Sequence, residues 1–458
     1  MLKGEIMDIN EVLNMNIFKV WTKFVVASIV GVVLNTIYTM VDGIFVGQGV
    51  GEAGLAGVNI AWPAVTLVVG IGLMIGIGTS SIVAIHMGRG HKEKAEKSLG
   101  TAIKSIIIIG SIVMLLGLIF REPIIRMLGA TADTIEYARD YYTIIFFISI
   151  PYIFSTALNP IVRTGGRPDL SMIMIGIGAI ANIILDWLFV IKLGYGVKGA
   201  ALATSASIFI TMVVSLLHFI KGKSNIKIRK EYFKLDFRIL KKILKIGFVS
   251  FAVQLSYGII LLVQNRTMFA YGNTVDVAIY TVATYINCFL VNTCMGIAQG
   301  LQPLIGYHYG ANKLERMKKL LYITIGICII GGIIVYTSIV LFGREMISIF
   351  GIGAESLDFA YNKILIYCIG SPIIGTIFTM SGYFQAIGKN VYANVISVGR
   401  GFVFQFLFTV ILPPFIGVTG VFLSLPLAEL ITFIVLGIIL VREKGNDYRK
   451  IRRRINTN

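Results

Sequence analysis

Charge is scarce in this 458-residue sequence. Lysine, arginine, aspartate and glutamate make up 14% of it, where a soluble globular chain carries roughly a quarter. That deficit, beside 56% hydrophobic residues and a mean hydropathy of +0.83, excludes a water-solvated globular fold. Cysteine is rarer still. Cys288, Cys294, Cys328 and Cys368 all fall in apolar stretches and none has metal-site spacing, so they read as small buried apolar residues. There is no HExxH, no GxSxG, no P-loop and no stretch that reads as an appended soluble domain. These absences argue against ATP-driven pumping in cis, and neither enzyme activity nor a cofactor is expected. Short segments alternating apolar with polar residues are also missing, which excludes a membrane β-barrel.

What the sequence does have is a succession of apolar runs about 20 residues long, the length a helix needs to cross a bilayer. The expected fold class is an all-α polytopic membrane protein with twelve transmembrane helices. Their expected positions are 18–47, 58–87, 98–120, 137–161, 169–192, 199–220, 244–270, 278–307, 319–342, 358–385, 391–414 and 418–441. The opening MLKGEIMDINEVLN mixes acids with apolar residues. It is expected to form a short amphipathic lead-in rather than a cleaved signal peptide.

The basic residues alternate by side. Arg89, Lys92, Lys94 and Lys97 follow span 2, and Arg163 and Arg167 follow span 4. A dense cluster runs from Lys221 to Lys245, Lys313 to Lys319 holds four more, and the tail carries RKIRRR. The alternate connections are poor in cations. The positive-inside rule then places both termini in the cytoplasm of a multi-pass plasma-membrane protein. It also accounts for the net charge of +18, so nucleic acid is not an expected partner. The tail is expected to touch the phosphates of the inner leaflet.

The chain repeats itself at a shift of 222 residues. GTSSIVAIHMGRGHKE (78–93) falls on GLQPLIGYHYGANKLE (300–315), and TGGRP (164–168) on AIGKN (386–390). The expected organisation is a six-helix bundle over 1–221, a basic linker over 222–243, a second bundle over 244–442 and a basic tail over 443–458. Six spans per half make the repeats parallel. Transporter folds of this kind hold substrate between the halves near the membrane midplane.

Charges inside the spans each need a reason, because one at the bilayer centre costs at least about 2.5–3.5 kcal/mol on insertion scales. Asn35, Tyr38 and Asp42 share one face of span 1, and Asn182 and Asp186 one face of span 5. Asp42 lies six residues before Gln48, Asp186 six before Lys192, and Thr204 six after Lys198. At about 1.5 Å rise per residue, all three sit roughly 9 Å inside the same boundary. Two carboxylates, an amide and two hydroxyls can therefore meet at one level. Hard oxygens in a dry cavity suit Na⁺, and two crowded carboxylates suit a proton carrier. The second half offers a neutral face instead: Gln254, Tyr257 and Gln264 on span 7 and Gln302 on span 8 are, together with Asn35 on span 1, candidates for lining a substrate cavity. Arg400 and Glu429 are expected to neutralise each other, and His86 and His308 read as interfacial histidines.

Tyr38-x-x-x-Asp42 followed by Phe45-Val46-Gly47, GIGTSS…GRG near 76–90, GLQPLIGYHYGA at 300–311, and Asn182-x-x-x-Asp186 before GVKGAALAT (196–204) resemble the multidrug and toxic compound extrusion family, in its DinF- or MepA-like branch. The resemblance spans about the whole chain. It implies two six-helix bundles facing each other in a V, and Na⁺- or H⁺-coupled antiport of amphipathic, often cationic, drugs. It maps the family's first-bundle cation site onto Asp42, Asn182, Asp186 and Thr204, with Asp42, Asn182 and Asp186 as the ligands where the ion is Na⁺. One departure stands out. Many members of this branch carry a proline on helix 1 fifteen residues before the Asp, and here that place is Ala27. A hinge at that proline is therefore not available. A flippase for lipid-linked saccharides is the alternative within the superfamily, but Arg400 is the sole candidate for a cation facing a pyrophosphate. The expected partners are the lipid bilayer and small amphipathic molecules, and the expected state is a monomer.

Overall fold

A computed structural model describes residues 6–221, 224–348 and 354–455. The side chains of 444–455, which carry the basic tail, lie outside what is described, as do residues 222 and 223 of the linker. Among the described residues there is no strand. That follows from the sequence: in lipid every backbone N–H and C=O must be satisfied within its own segment, and a helix does this.

Twelve helices cross in turn: α1 (Ile17–Val50), α2 (Glu52–Gly88), α3 (Lys92–Ile119), α4 in two pieces (Ile135–Phe147 and Ser149–Thr164), α5 (Pro168–Asp186, prolonged by a π-helical turn over Trp187–Lys192) and α6 (Gly196–Ile220). Then come α7 (Phe237–Tyr271), α8 (Thr274–Gly310), α9 (Leu314–Ser348), α10 in two pieces (Leu357–Cys368 and Ser371–Ala386), α11 (Asn390–Val398, a π-helical turn Gly399–Phe404, then Gln405–Ile411) and α12 (Thr419–Ile455). They form two sets of six. The lead-in is a short helix, Ile9–Asn14, burying Ile9, Val12 and Leu13.

The helices are longer than the apolar runs suggest. The expected loop between spans 1 and 2 shrinks to Gly51, whose φ of 83° a larger residue adopts at a cost. α7 begins at Phe237, seven residues ahead of the expected 244, because Asp236 caps it by accepting from the Arg238 and Ile239 amides. The linker ahead of it is held to α3. Buried Glu96 pairs with Arg229 at 2.9 Å and accepts from the Lys227 amide at 3.2 Å.

Spans 4 and 10, expected to be continuous, are broken at matching places. Ser149 Oγ donates to the Phe146 carbonyl and Ser371 Oγ to the Cys368 carbonyl, both at 2.6 Å. The two motifs are 222 residues apart, so the repeat extends to the breaks. Pro151 and Pro372, which follow, have no N–H for the preceding turn. α4 bends by 63° here.

The halves meet along glycine seams that splay. A Cβ at Gly78 or Gly247 would overlap the Ile243 or Met74 carbonyl of the facing helix. Further along α2 and α7, a Cβ at Gly70 would stand 3.0 Å from the Phe251 ring, and one at Gly258 3.8 Å from Thr66 Oγ1. Likewise α8 lies against α1 at Gly300 and Gly296, and further along Asn292 Nδ2 donates to Thr36 Oγ1 at 3.0 Å. One apolar core therefore runs through both halves on the side of the basic connections. Towards the other side the second half keeps a separate core around Tyr280, Tyr367 and Phe422. The cleft is a V whose closed end faces the basic connections.

Candidate cation site and substrate cavity

α1 and α5 pack side by side, and Asp42, Asn182 and Asp186 are buried between them at 9%, 0% and 0% exposure. The carboxyl groups of Asp42 and Asp186 are neighbours. Among the described residues neither pairs with a cation. Asp42 Oδ1, Asn182 Oδ1 and both Asp186 oxygens are buried with no hydrogen-bond partner. Asn182 turns its Nδ2 to Thr204 Oγ1 on α6, at 3.4 Å. Immediately after Asp186 the helix widens into the π-helical turn, where Leu193 N reaches back five residues to Leu188 O at 2.9 Å. Turns of this kind are frequent at functional sites. The fit to a hard cation rests on two adjacent carboxyl groups and four buried oxygens without a hydrogen-bond partner, since an unpaired buried carboxylate is costly. Chemically the arrangement can hold Na⁺ or a proton.

Three tyrosines complete the wall. Tyr38 on α1, and Tyr141 and Tyr152 on the two pieces of α4, stand within electrostatic range of the carboxylates. Sequence reasoning missed the two on α4. Their spacing of eleven residues is three helical turns, the available signal, but it sits among apolar aromatics and straddles the bend.

Among the described residues the second half holds no unpaired acid at this level. Arg400 emerges from the π-helical turn of α11, and its Nη2 lies 3.0 Å from Glu429 Oε1 on α12. Its guanidinium also rests 4.9 Å from the centre of the Phe378 ring. Glu429 Oε2 lies against the Gly370 backbone in the break of α10.

The MatE family model matches residues 27–188 and 246–411, which is most of each half. The chain belongs to the MatE family. MatE relatives include the multidrug export protein MepA of Staphylococcus saprophyticus, 27% identical over 91% of this chain and 92% of its own. The MepA of Staphylococcus aureus strain MSSA476 is 28% identical over 90% and 91%. A crystal structure of MATE in complex with MaD3S superposes with a TM-score of 0.89 at 25% identity, covering 98% of this chain and all of that one. An outward-facing multidrug resistance MATE transporter of the MOP superfamily matches in fold, with a TM-score of 0.89 at 24% identity over 98% and 100% of the two chains.

In this MatE chain the other residues singled out by sequence separate. Asn35 is exposed on α1. Tyr257 is 54% exposed and stands beside Cys288, which itself accepts from Asn292 Nδ2 at 3.4 Å. Both therefore sit near the Thr36–Asn292 bond. Gln254 is half-buried next to the seam, where it faces Gly70. Gln264 is buried with its Nε2 unpartnered. Gln302 corrects the expectation of a cavity-lining amide. It is buried and donates to Gln385 Oε1 at 2.7 Å, and Gln385 in turn donates to Ile246 O at 2.9 Å and Ser250 Oγ at 3.0 Å. Its amide knits α7, α8 and α10 together instead. His308 is buried with Nδ1 2.8 Å from the Leu304 carbonyl, and His86 is half-buried at the end of α2.

Proposed function

We propose that this protein is an ion-coupled antiporter that exports amphipathic, mainly cationic, drugs or toxic metabolites by alternating access, with Na⁺ or H⁺ as the driving ion. The observation that carries the reading is the pair Asp42 and Asp186, buried, adjacent and without a protein cation. The MepA relatives, named multidrug export proteins, support the substrate class.

The coupling is one equilibrium with two ligands. With the V open on the side away from the basic connections, a cation reaches Asp42 and Asp186 from that side. Its binding removes the repulsion between two buried carboxylates and draws α1 towards α5. That favours the state that releases drug outward. Asp42 and Asp186 take the ion, Asn182 contributes its Oδ1, and Thr204 orients the Asn182 amide. α1 runs unbroken through Ala27, so this motion is a displacement of the helix as a body rather than a hinge within it.

The flippase alternative is not favoured, since Arg400 is committed to Glu429. Reconstitution into proteoliposomes, with Na⁺ and H⁺ gradients imposed in turn, tests the proposal. Drug counterflow driven by one of them supports it, and drug movement indifferent to both overturns it.

A further inference from the structure

The bend in α4 opens a cavity of about 510 Å³ on the outside of the first half, away from the cleft. It lies between the ends of α3, α4 and α6 and is lined by Leu118, Arg121, Thr143, Phe147, Ile148 and Leu202 among others. Phe147 at 67% and Leu202 at 42% are exposed at its edge, so it faces lipid. Its mouth is at Arg121, just past the end of α3. Leu202 is six residues into α6, roughly 9 Å deep at 1.5 Å per residue. The slot thus runs from headgroup level into the hydrocarbon.

Two polar residues border this apolar slot, Arg121 in a long ion pair and Thr143 with no partner. Arg121 reaches Glu122 only at 4.0 Å, because Arg139 already grips that carboxylate through Nε and through Nη2 at 3.2 Å. The Arg139 guanidinium holds the half-buried Glu122 carboxyl below the usual carboxylate range, which keeps it charged and committed. Thr143 Oγ1 is buried and unpartnered. Several threonines in the spans return their hydroxyl to the carbonyl four residues back, as Thr79 does to Ile75 and Thr211 to Ser207, whereas Thr143 and Thr376 do not.

We propose that this slot binds one anionic glycerophospholipid, with its phosphate on Arg121 and one acyl chain along Phe147 and Leu202 into the notch at Ile148. The cation at headgroup level selects a negative headgroup, and the bend supplies apolar depth. The reading is independent of the coupling ion. The opposite face of the same α4 piece buries Tyr141 and Tyr142, so a lipid seated here braces the wall of the cation site from behind.

The test is native mass spectrometry of the intact protein titrated with phosphatidylglycerol or phosphatidylcholine of identical chains. Wild type should take up one phosphatidylglycerol saturably, about five-fold more tightly than phosphatidylcholine, as one lipid-facing cation is worth roughly that factor. Arg121→Gln should erase the preference, Arg121→Lys keep most of it, and Arg126→Gln, whose side chain is outside the slot, leave it unchanged. Leu202→Trp should remove the saturable site for both lipids. Arg121 is exposed, so its variants report even where Leu202→Trp fails to fold. No saturable lipid, or a preference that survives Arg121→Gln, overturns the proposal. So does a site that Leu202→Trp abolishes for a cationic drug but not for phosphatidylglycerol, which would make the slot a drug entrance.

Discussion

Asn182 gives its amide N–H to Thr204 Oγ1 at 3.4 Å and leaves its carbonyl oxygen buried and unpartnered, one helical turn before Asp186. On the proposed coupling scheme, this helix-to-helix hydrogen bond sets which end of the amide faces the ion. Thr204→Val removes the acceptor and frees the amide to turn. The net worth of such a bond is about 1 kcal/mol, so the half-saturating ion concentration for drug efflux in proteoliposomes should rise about five-fold, with maximal rate and folding kept. An unchanged ion dependence would show that Thr204 does not orient the amide.

The Arg400–Glu429 pair is a structural device, and its stability signature follows from burial. Glu429→Gln strands a buried guanidinium and should cost about 3–5 kcal/mol, read as a large fall in thermal midpoint in detergent. Arg400→Gln with Glu429→Gln should recover much of that loss. Gly370→Ala should mimic the single variant, because its methyl would overlap the Glu429 carboxylate. A double variant no more stable than the worse single one contradicts the pairing.

The splayed seam predicts a conformational lock. At Gly247 a side chain would overlap the Met74 carbonyl, at the place where the halves are closest. Gly247→Val should push the halves apart on the basic side and stop transport while leaving drug binding intact. Spin labels across α2 and α7 near that end should show a longer mean distance than in wild type. Normal transport with an unchanged distance would mean that the close approach there is not required.

Orientation is tested by thiol labelling. Glu52→Cys lies at the exposed start of α2, just after Gly51, and should react with an impermeant reagent added outside intact cells. Ser224 is buried, so a cysteine there reports nothing about sidedness. Lys230→Cys, exposed in the linker, is the informative partner and should stay unlabelled. Labelling of Lys230→Cys from outside would invert the topology.

The fold was legible because lipid imposes one rule, and apolar length announces each span. Asp42, Asn182 and Asp186 were legible for the same reason: polarity inside an apolar run demands an explanation, and equal distance from flanking polar residues gives depth. Tyr141 and Tyr152 were not, since a tyrosine in an aromatic-rich span carries no such demand. The breaks at Ser149 and Ser371 are hidden because the apolar run continues across them. Only a serine with a proline one or two residues on, repeated at 222, marks them. Gln302 misled because an amide in a span has two outlets, a cavity or another amide, and its partner Gln385 lies 83 residues away.

The most direct test of the account is ion-gradient-driven drug efflux by Asp42→Asn in proteoliposomes, read beside its thermal midpoint with and without Na⁺ and across pH. A neutral amide is cheaper to bury than a carboxylate, so the variant should fold and be as stable as wild type or more so. The account predicts that efflux falls to the level of empty liposomes and that the midpoint no longer responds to Na⁺ or to pH. Wild-type efflux by Asp42→Asn under the same gradient would contradict it, and would leave this carboxylate a packing residue.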